Sequence, residues 1–303
     1  MRYKVSKRIL IFLCLFVSIS ALIGSICMFI DPSGKLLGMS DLLPYFKVLP
    51  LSNILFQDYI FSGISLLIVN GISNLIAVYF LIKNKMLGSI LGMVFGITLM
   101  LWIIIQFIIF PTNILSISFF IIGTIEFLFG YMTYVFYKQE NFKFGIDNYK
   151  VIKDKSDTLV VYFSRMGYTR KIAYDEAIRN KANILELKTS ELTSSTKGFW
   201  WCGRFGMHKW CMKINDINVD LKKYKKVIII SPIWVFSISA PIRDFCYKYK
   251  NDINNVEYIF VHFMKTSFLR VSDEVDKILN KKRIKYTSIC SRFGKVIKYN
   301  VYK

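Results

Sequence analysis

Four long apolar runs, all before residue 138, constrain this chain more than any other feature. Ile9 to Ile30 is a 22-residue stretch without a charge, and Tyr59 to Ile82 (24 residues), Met86 to Phe110 (25) and Ile114 to Phe136 (23) follow, the last interrupted only by Glu126. At 1.5 Å per residue, each covers a hydrocarbon core about 30 Å thick as a helix. A helix satisfies its own backbone groups in lipid, so an all-α domain of four transmembrane helices is expected over residues 1–137. A mean hydropathy of +0.41 with 54% hydrophobic residues agrees, and excludes a purely soluble enzyme. A cleaved signal peptide is the rival reading of the first run. Its basic start fits, but the run exceeds a signal core and no A-x-A-like site follows.

Orientation follows from Lys and Arg in the short connections, because basic loops stay cytoplasmic. Arg2, Lys4, Lys7 and Arg8 precede the first run, Lys83 and Lys85 make the second turn, and Lys138, Lys143 and Lys150 follow the fourth run. The other side has only Lys35 and Lys47 in a 28-residue loop, and none in Pro111-Thr112-Asn113. Both termini are therefore expected in the cytoplasm. Gly88, Gly92 and Gly96 recur every fourth residue and clear one helix face for close packing. Glu126 reads either as a proton, cation or quinone-head site or as a protonated, hydrogen-bonded structural group. The two histidines, His208 and His262, lie outside the runs, which excludes a membrane haem with paired His ligands.

After a juxtamembrane linker over 138–155, the pattern changes to short apolar runs separated by amphipathic segments. Strands are expected at Thr158 to Phe163, Ala182 to Leu187, Lys226 to Ser231, Tyr258 to Phe263 and Lys285 to Cys290. Helices are expected at Tyr168 to Arg179, Pro241 to Tyr249 and Ser272 to Leu279. This alternation specifies an α/β, doubly wound parallel sheet covered on both faces. The first strand-to-helix turn, Ser164-Arg165-Met166-Gly167-Tyr168-Thr169, places hydroxyls at both ends, a glycine for close approach and a helix start. Such a turn is an anion cradle of N–H groups and side-chain donors. The absence of a P-loop lysine and of G-x-G-x-x-G argues against nucleoside triphosphates and dinucleotides.

Val160 to Thr169 resembles the first strand and FMN phosphate loop of the flavodoxin family. Ile229-Ile230-Ser231-Pro232-Ile233-Trp234 with Pro241-Ile242-Arg243-Asp244-Phe245 is similar to that family's third strand, flavin-side loop and following helix. The resemblance implies a flavodoxin-like FMN-binding domain over 156–303. By that likeness, Ser164, Arg165, Met166, Gly167, Tyr168 and Thr169 hold the FMN phosphate. Pro232, Ile233, Trp234 and Val235 lie along the isoalloxazine, with Trp234 stacking on it. Phe263, Met264 and Lys265 approach from the other side. Met166 stands where the family usually has a hydroxyl, which leaves backbone N–H groups to complete the cradle. The tail from Ser291 to Lys303 does not read as the usual closing helix, so one sheet face is expected to be covered differently.

Between the second and third strands, Phe199 to Cys211 is rich in Trp, Cys and Gly. Cys202, His208 and Cys211 are too few and wrongly spaced for a metal site, so none is expected there. The segment reads as an aromatic cover over the flavin edge or a contact with the bilayer interface. From residue 151 onward, 30 Lys+Arg face 14 Asp+Glu, a formal +16. No nucleic-acid module accompanies this charge. Lys222, Lys223, Lys225, Lys226, Lys281, Lys282 and Arg283 read as faces toward anionic membrane lipid or an acidic redox partner. The resemblance thus implies a membrane-anchored FMN protein transferring electrons at the cytoplasmic face, with no catalytic side chain required. An FMN-dependent reductase acting on a quinone delivered by the membrane domain, and a non-enzymatic module with a degraded flavin site, remain the alternatives.

Overall fold

The computed structural model describes residues 2–146 and 156–302. Lys150 and the second half of the expected linker lie outside the described residues. The chain divides into two compact units, Met1–Asn141 and Phe142–Lys303.

The N-terminal unit contains four helices long and apolar enough to cross a membrane: α1 (Arg2–Ile30), α2 (Ile60–Ile82), α3 (Met86–Ile109) and α4 (Ile114–Glu140). The turn between α3 and α4 ends on Asn113, whose side chain caps α4 by accepting from the Ser116 N–H at 2.9 Å. The three glycines of α3 each meet a different helix. A Cβ added at Gly88 would lie 2.5 Å from the Leu81 nitrogen of α2, one at Gly92 would meet the Leu10 methyls of α1, and one at Gly96 would lie 2.5 Å from the Phe127 nitrogen of α4. From the facing helix, Gly130 presses on Met93 in the same way. Hydrocarbon solvates Leu as well as protein does, so close backbone contact is what holds such helices together. Glu126 is fully buried, and its Oε1 accepts from the Cys14 thiol at 3.3 Å.

Within α2, residues Leu67–Ile72 widen into a π-helical turn in which the Ser73 N–H reaches back to the Ile68 carbonyl. Such a turn diverts carbonyls from their usual partners. The Asn70 carbonyl is taken by the Asn74 side chain at 3.0 Å and the Gly71 carbonyl by the Ser18 hydroxyl at 2.9 Å.

The C-terminal unit comprises β1 (Thr158–Tyr162), α5 (Tyr168–Arg179), β2 (Asn183–Glu186), α6 (Ser195–His208), β3 (Lys226–Trp234), β4 (Ser237–Ile238), α7 (Ala240–Tyr249), β5 (Asn255–His262), α8 (Leu269–Leu279), β6 (Lys285–Arg292) and β7 (Lys295–Tyr302). The sheet runs β2-β1-β3-β5-β6-β7, with β4 folded back on the end of β3. The first five strands are parallel and their order, counted by those strands alone, is the 2-1-3-4-5 of flavodoxin-like sheets. Branched residues fill the central strands because both faces are covered: Val227 to Ile230 are buried throughout. On one face α7 and α8 bring Ile242, Phe245, Val271 and Val275 onto the core, and on the other α5 brings Ile172, Ala173 and Ala177.

The sheet departs from the expected all-parallel form at its end. The tail is strand β7, antiparallel to β6 through a turn in which Phe293 and Gly294 both have positive φ. That is the geometry whose twist suits a two-residue hairpin. No closing helix follows β6 among the described residues. On the α5 side, Phe142 lies edge-on to Tyr168 at 4.6 Å and Phe144 edge-on to Tyr174 at 5.4 Å, so residues just after Asn141 cover part of that face.

Candidate functional site

The strand order reverses at β1, between β2 and β3, and the loops leaving β1 and β3 face the crevice where open α/β sheets bind ligands. In the first loop, the Ser164 hydroxyl accepts from the Gly167 N–H at 3.1 Å and closes the turn. Gly167 has φ +89°, a conformation that a Cβ disfavours, and it is the last residue before α5. No side chain caps that helix end, so its first N–H groups and its positive dipole end point outward from the loop. Thr169, the second residue of α5, is 3% exposed. Phe142 seals the flank of the loop: a Cβ at Gly167 would meet its ring at 3.3 Å, and the same ring lies against Gly294 of the last hairpin. Arg165 leans away toward α6, its guanidinium 5.3 Å from the Phe199 ring centroid.

The second loop is a tight hairpin from β3 into β4. Its two turn residues, Val235 and Phe236, have φ of 45° and 61°. A branched side chain in the left-handed region costs on the order of 1–3 kcal/mol and persists only where its surroundings hold it. The Ser231 hydroxyl accepts from the Ser239 N–H at 3.0 Å, and the Ser239 N–H also reaches the Pro232 carbonyl at 3.1 Å. Below the turn, Arg243 is 2% exposed; its Nη2 donates to the Ser237 hydroxyl at 2.7 Å and pairs with Glu274 at 2.8 Å. Burial alone would push the Glu274 carboxyl up, but Lys209 and Arg243 pull it below the ordinary carboxylate range. The tip presents apolar surface, with Phe236 64% exposed.

Trp234 is half-buried, edge-on to Phe163 at 5.5 Å, and packs with Cys202, Phe205 and Met212. Pro232 and Ile233 are likewise half-buried, and Val235 is exposed beside them. The first two loops thus meet through the Phe163–Trp234 contact. Phe263, Met264 and Lys265 are exposed at the end of β5, and Phe263 meets the last hairpin: Arg292 lies 5.0 Å over its ring, which is edge-on to Phe293. His262 sets that loop's start. Its Nδ1 must donate to the Met264 carbonyl (2.6 Å), which can only accept, leaving Nε2 to accept from the Ser288 hydroxyl (2.8 Å) in the neutral ring. Burial holds the imidazole below its ordinary pKa.

The Trp-rich segment is helix α6, the wall on one side of both loops. Gly206 lets it approach closely, since a Cβ there would lie 2.5 Å from the Trp234 carbonyl oxygen, whereas Gly198 makes room for the Thr193 backbone that leads into the helix. Its buried stripe of Gly198, Cys202 and Gly206 faces the site, and burial pushes the Cys202 thiol up to about 11. Its outer side exposes Phe199, Met207 and Trp200, the last 72% exposed. Arg204 lies over Trp201 and Trp210, and His208 stacks on Trp210 at 4.6 Å. Among the described residues no three His, Cys, Asp or Glu side chains form a metal-holding group.

Sequence reasoning missed the clamp of Arg243, Ser237 and Glu274, the strained turn at Phe236, and Phe142. An arginine inside an otherwise amphipathic helix was the one visible signal for the clamp. The clustered lysines sit at the opposite ends of the strands and face acids. Lys225 pairs with Asp157 at 2.5 Å, Lys226 with Glu257 at 3.2 Å, Lys222 with Asp252 at 3.4 Å and Lys223 with Asp220 at 3.7 Å.

No family model matches the chain, and no curated protein matches it. Solved structures similar to the chain include a flavoprotein of Lactobacillus acidophilus in complex with FMN, 21% identical, covering 45% of this chain and 91% of that one at a TM-score of 0.38. Flavoproteins of Bacteroides eggerthii (18% identical, 43% of this chain and 84% of that one) and Bacteroides uniformis (17%, 45% and 88%) also give a TM-score of 0.38.

Proposed function

We propose that the C-terminal unit binds FMN and that the protein carries electrons at the cytoplasmic face of the membrane that its four N-terminal helices cross. The observation that carries the reading is the uncapped start of α5, opened by Gly167 at the point where strand order reverses. One short cradle of that kind suits a single phosphate, and nothing beside it would hold a second nucleotide. Ser164 closes the cradle and Thr169 backs it, while the apolar hairpin tip at Val235 and Phe236 suits the flat face of a ring. The residues present therefore fit FMN.

FMN, when bound, supplies the one- and two-electron chemistry. The chain's own groups bind, orient and shield. Helix α6 excludes water from one side of the loops, the clamp of Arg243 fixes the hairpin, and neutral His262 holds the third loop's first turn. The outer side of α6, with Trp200, Met207, Lys197 and Arg204, has the aromatic and basic character that anionic lipid headgroups attract. The basic residues before the first helix, Lys83 and Lys85 after the second, and Lys138 and Lys143 at the end of the fourth support the cytoplasmic placement.

The test is the visible absorption spectrum of the full-length protein in detergent, followed by titration of FMN. A flavin spectrum, or tight uptake of FMN, is expected. A protein isolated without flavin that also fails to take it up refutes the proposal.

A further inference from the structure

The N-terminal unit contains a cavity of about 350 Å³ between α1, α2, α3 and the start of α4. A second, of about 300 Å³, shares Met28, Leu66, Trp102, Gln106 and Phe110 with it. Apolar and aromatic walls with a few polar groups characterise small-molecule sites of this size. No charged side chain lines either cavity. Asn70 lines the larger one from within the π-helical turn. It is 1% exposed, yet neither its amide nitrogen nor its amide oxygen has a partner. An amide left so in a bilayer costs several kcal/mol, and π turns recur where a helix is reshaped for a ligand. Gln106, on the opposite wall, has its Oε1 engaged by the Ser116 hydroxyl at 3.3 Å, which leaves its nitrogen as a donor.

We propose that this cavity binds the head ring of a neutral quinone or quinol lipid, with Asn70 and Gln106 on the ring oxygens and Trp102 against the ring. The amide of Asn70 suits both states, because it can donate to a quinone carbonyl and accept from a quinol hydroxyl. A phospholipid head is the wrong chemistry, since its phosphate would meet no cation here. The site lies at the end of the bundle where α4 begins. Glu140, where the chain leaves the bundle, is at the other end of that 27-residue helix, about 40 Å away. The inference stands on the N-terminal unit alone and does not depend on FMN.

The test is quenching of tryptophan emission by decylubiquinone in the full-length protein in detergent, with and without added FMN. Saturable quenching is expected in both cases, with its saturable part lost in Trp102→Phe. Asn70→Leu should raise the half-saturating concentration about tenfold, the worth of one buried hydrogen bond. It should not lower the melting temperature of the ligand-free protein, because the amide has no partner to lose. A photoactivatable azidoquinone should label peptides of residues 17–119, in competition with decylubiquinone, and this readout needs no variant. Absence of saturable quenching, labelling confined to the C-terminal unit, or equal displacement by phosphatidylglycerol would overturn the proposal.

Discussion

Arg243, buried, and Glu274, half-buried, form an ion pair 2.8 Å apart that ties α7 to α8 directly beneath the hairpin at Val235 and Phe236. The same guanidinium reaches Ser237 on β4, so one side chain braces the strained turn from below. Arg243→Met keeps the stem but removes both polar contacts, to Ser237 and to Glu274. Glu274 retains Lys209, so its charge is not orphaned. The cost should be about 2–3 kcal/mol, the range for hydrogen bonds to charged groups, read as a lower midpoint in chemical denaturation of the C-terminal unit's transition. FMN affinity should fall with it, because the hairpin tip loses its support.

Acidification should weaken the C-terminal unit through His262. Burial lowers its folded-state pKa, whereas the unfolded imidazole titrates near ~6.5. Between those values the unfolded chain binds the extra proton, so stability is full above about pH 6.5 and declines as pH falls toward the folded pKa. Ser288 can turn its hydroxyl toward the Thr266 carbonyl, which moderates the loss. Melting curves from pH 7.5 to 5.5 should show the decline in the parent and a flatter profile in His262→Asn.

The phosphate cradle should respond to single hydroxyls. Ser164→Ala and Thr169→Ala are each expected to weaken FMN binding about tenfold, since a hydroxyl to a charged phosphate contributes on the order of 1.5–3 kcal/mol. Fluorescence titration of FMN measures this. Unchanged affinity in both variants would place the phosphate elsewhere.

Gly167→Ala combines two penalties, a positive φ of 89° and contact with the Phe142 ring. A loss of about 1–2 kcal/mol in stability is expected from the backbone alone. Phe142→Ala in the same background should recover the steric part and leave the conformational part, which a double-mutant cycle separates.

Topology is testable with a thiol already on the surface. Cys211 is exposed, so in a Cys27→Ser background a membrane-impermeant maleimide should label it only after cells are opened. A cysteine introduced at Ser40 should be labelled in intact cells. The reverse pattern would remove the cytoplasmic assignment.

Much of the fold was legible because its signals are local. Helix α5 runs from Tyr168 to Arg179 as its position after Gly167 and its periodicity indicate, and the central strands are continuous branched runs. Strand β7 was not legible, since an edge strand with Lys295 and Lys298 owes its form to pairing with β6. Helix α6 was hidden by Gly198, Gly203 and Gly206, which weaken helix propensity, while Gly206 permits close approach to Trp234. Of the two tight hairpins, the one with Gly294 carries a turn signal and the one with Val235 carries none. The lysine clusters looked unneutralised because Asp157 and Glu257 reach them only through the sheet.

The glycine contacts of the N-terminal unit set limits on how such a chain can diverge. At Gly96 and Gly130 even one added methyl group would strike the backbone of the facing helix, 2.5 and 2.6 Å from its nitrogen atoms, so the smallest step in sequence space is a forbidden one. At Gly203 the same step meets only Val235, at 3.9 Å. Outward-facing Ile and Leu can interchange because they meet no facing backbone. Hydrophobic residues make up most of the N-terminal unit, yet they are its freely drifting part. Its fixed points in a saturation-mutagenesis survey should be residues with no side chain at all.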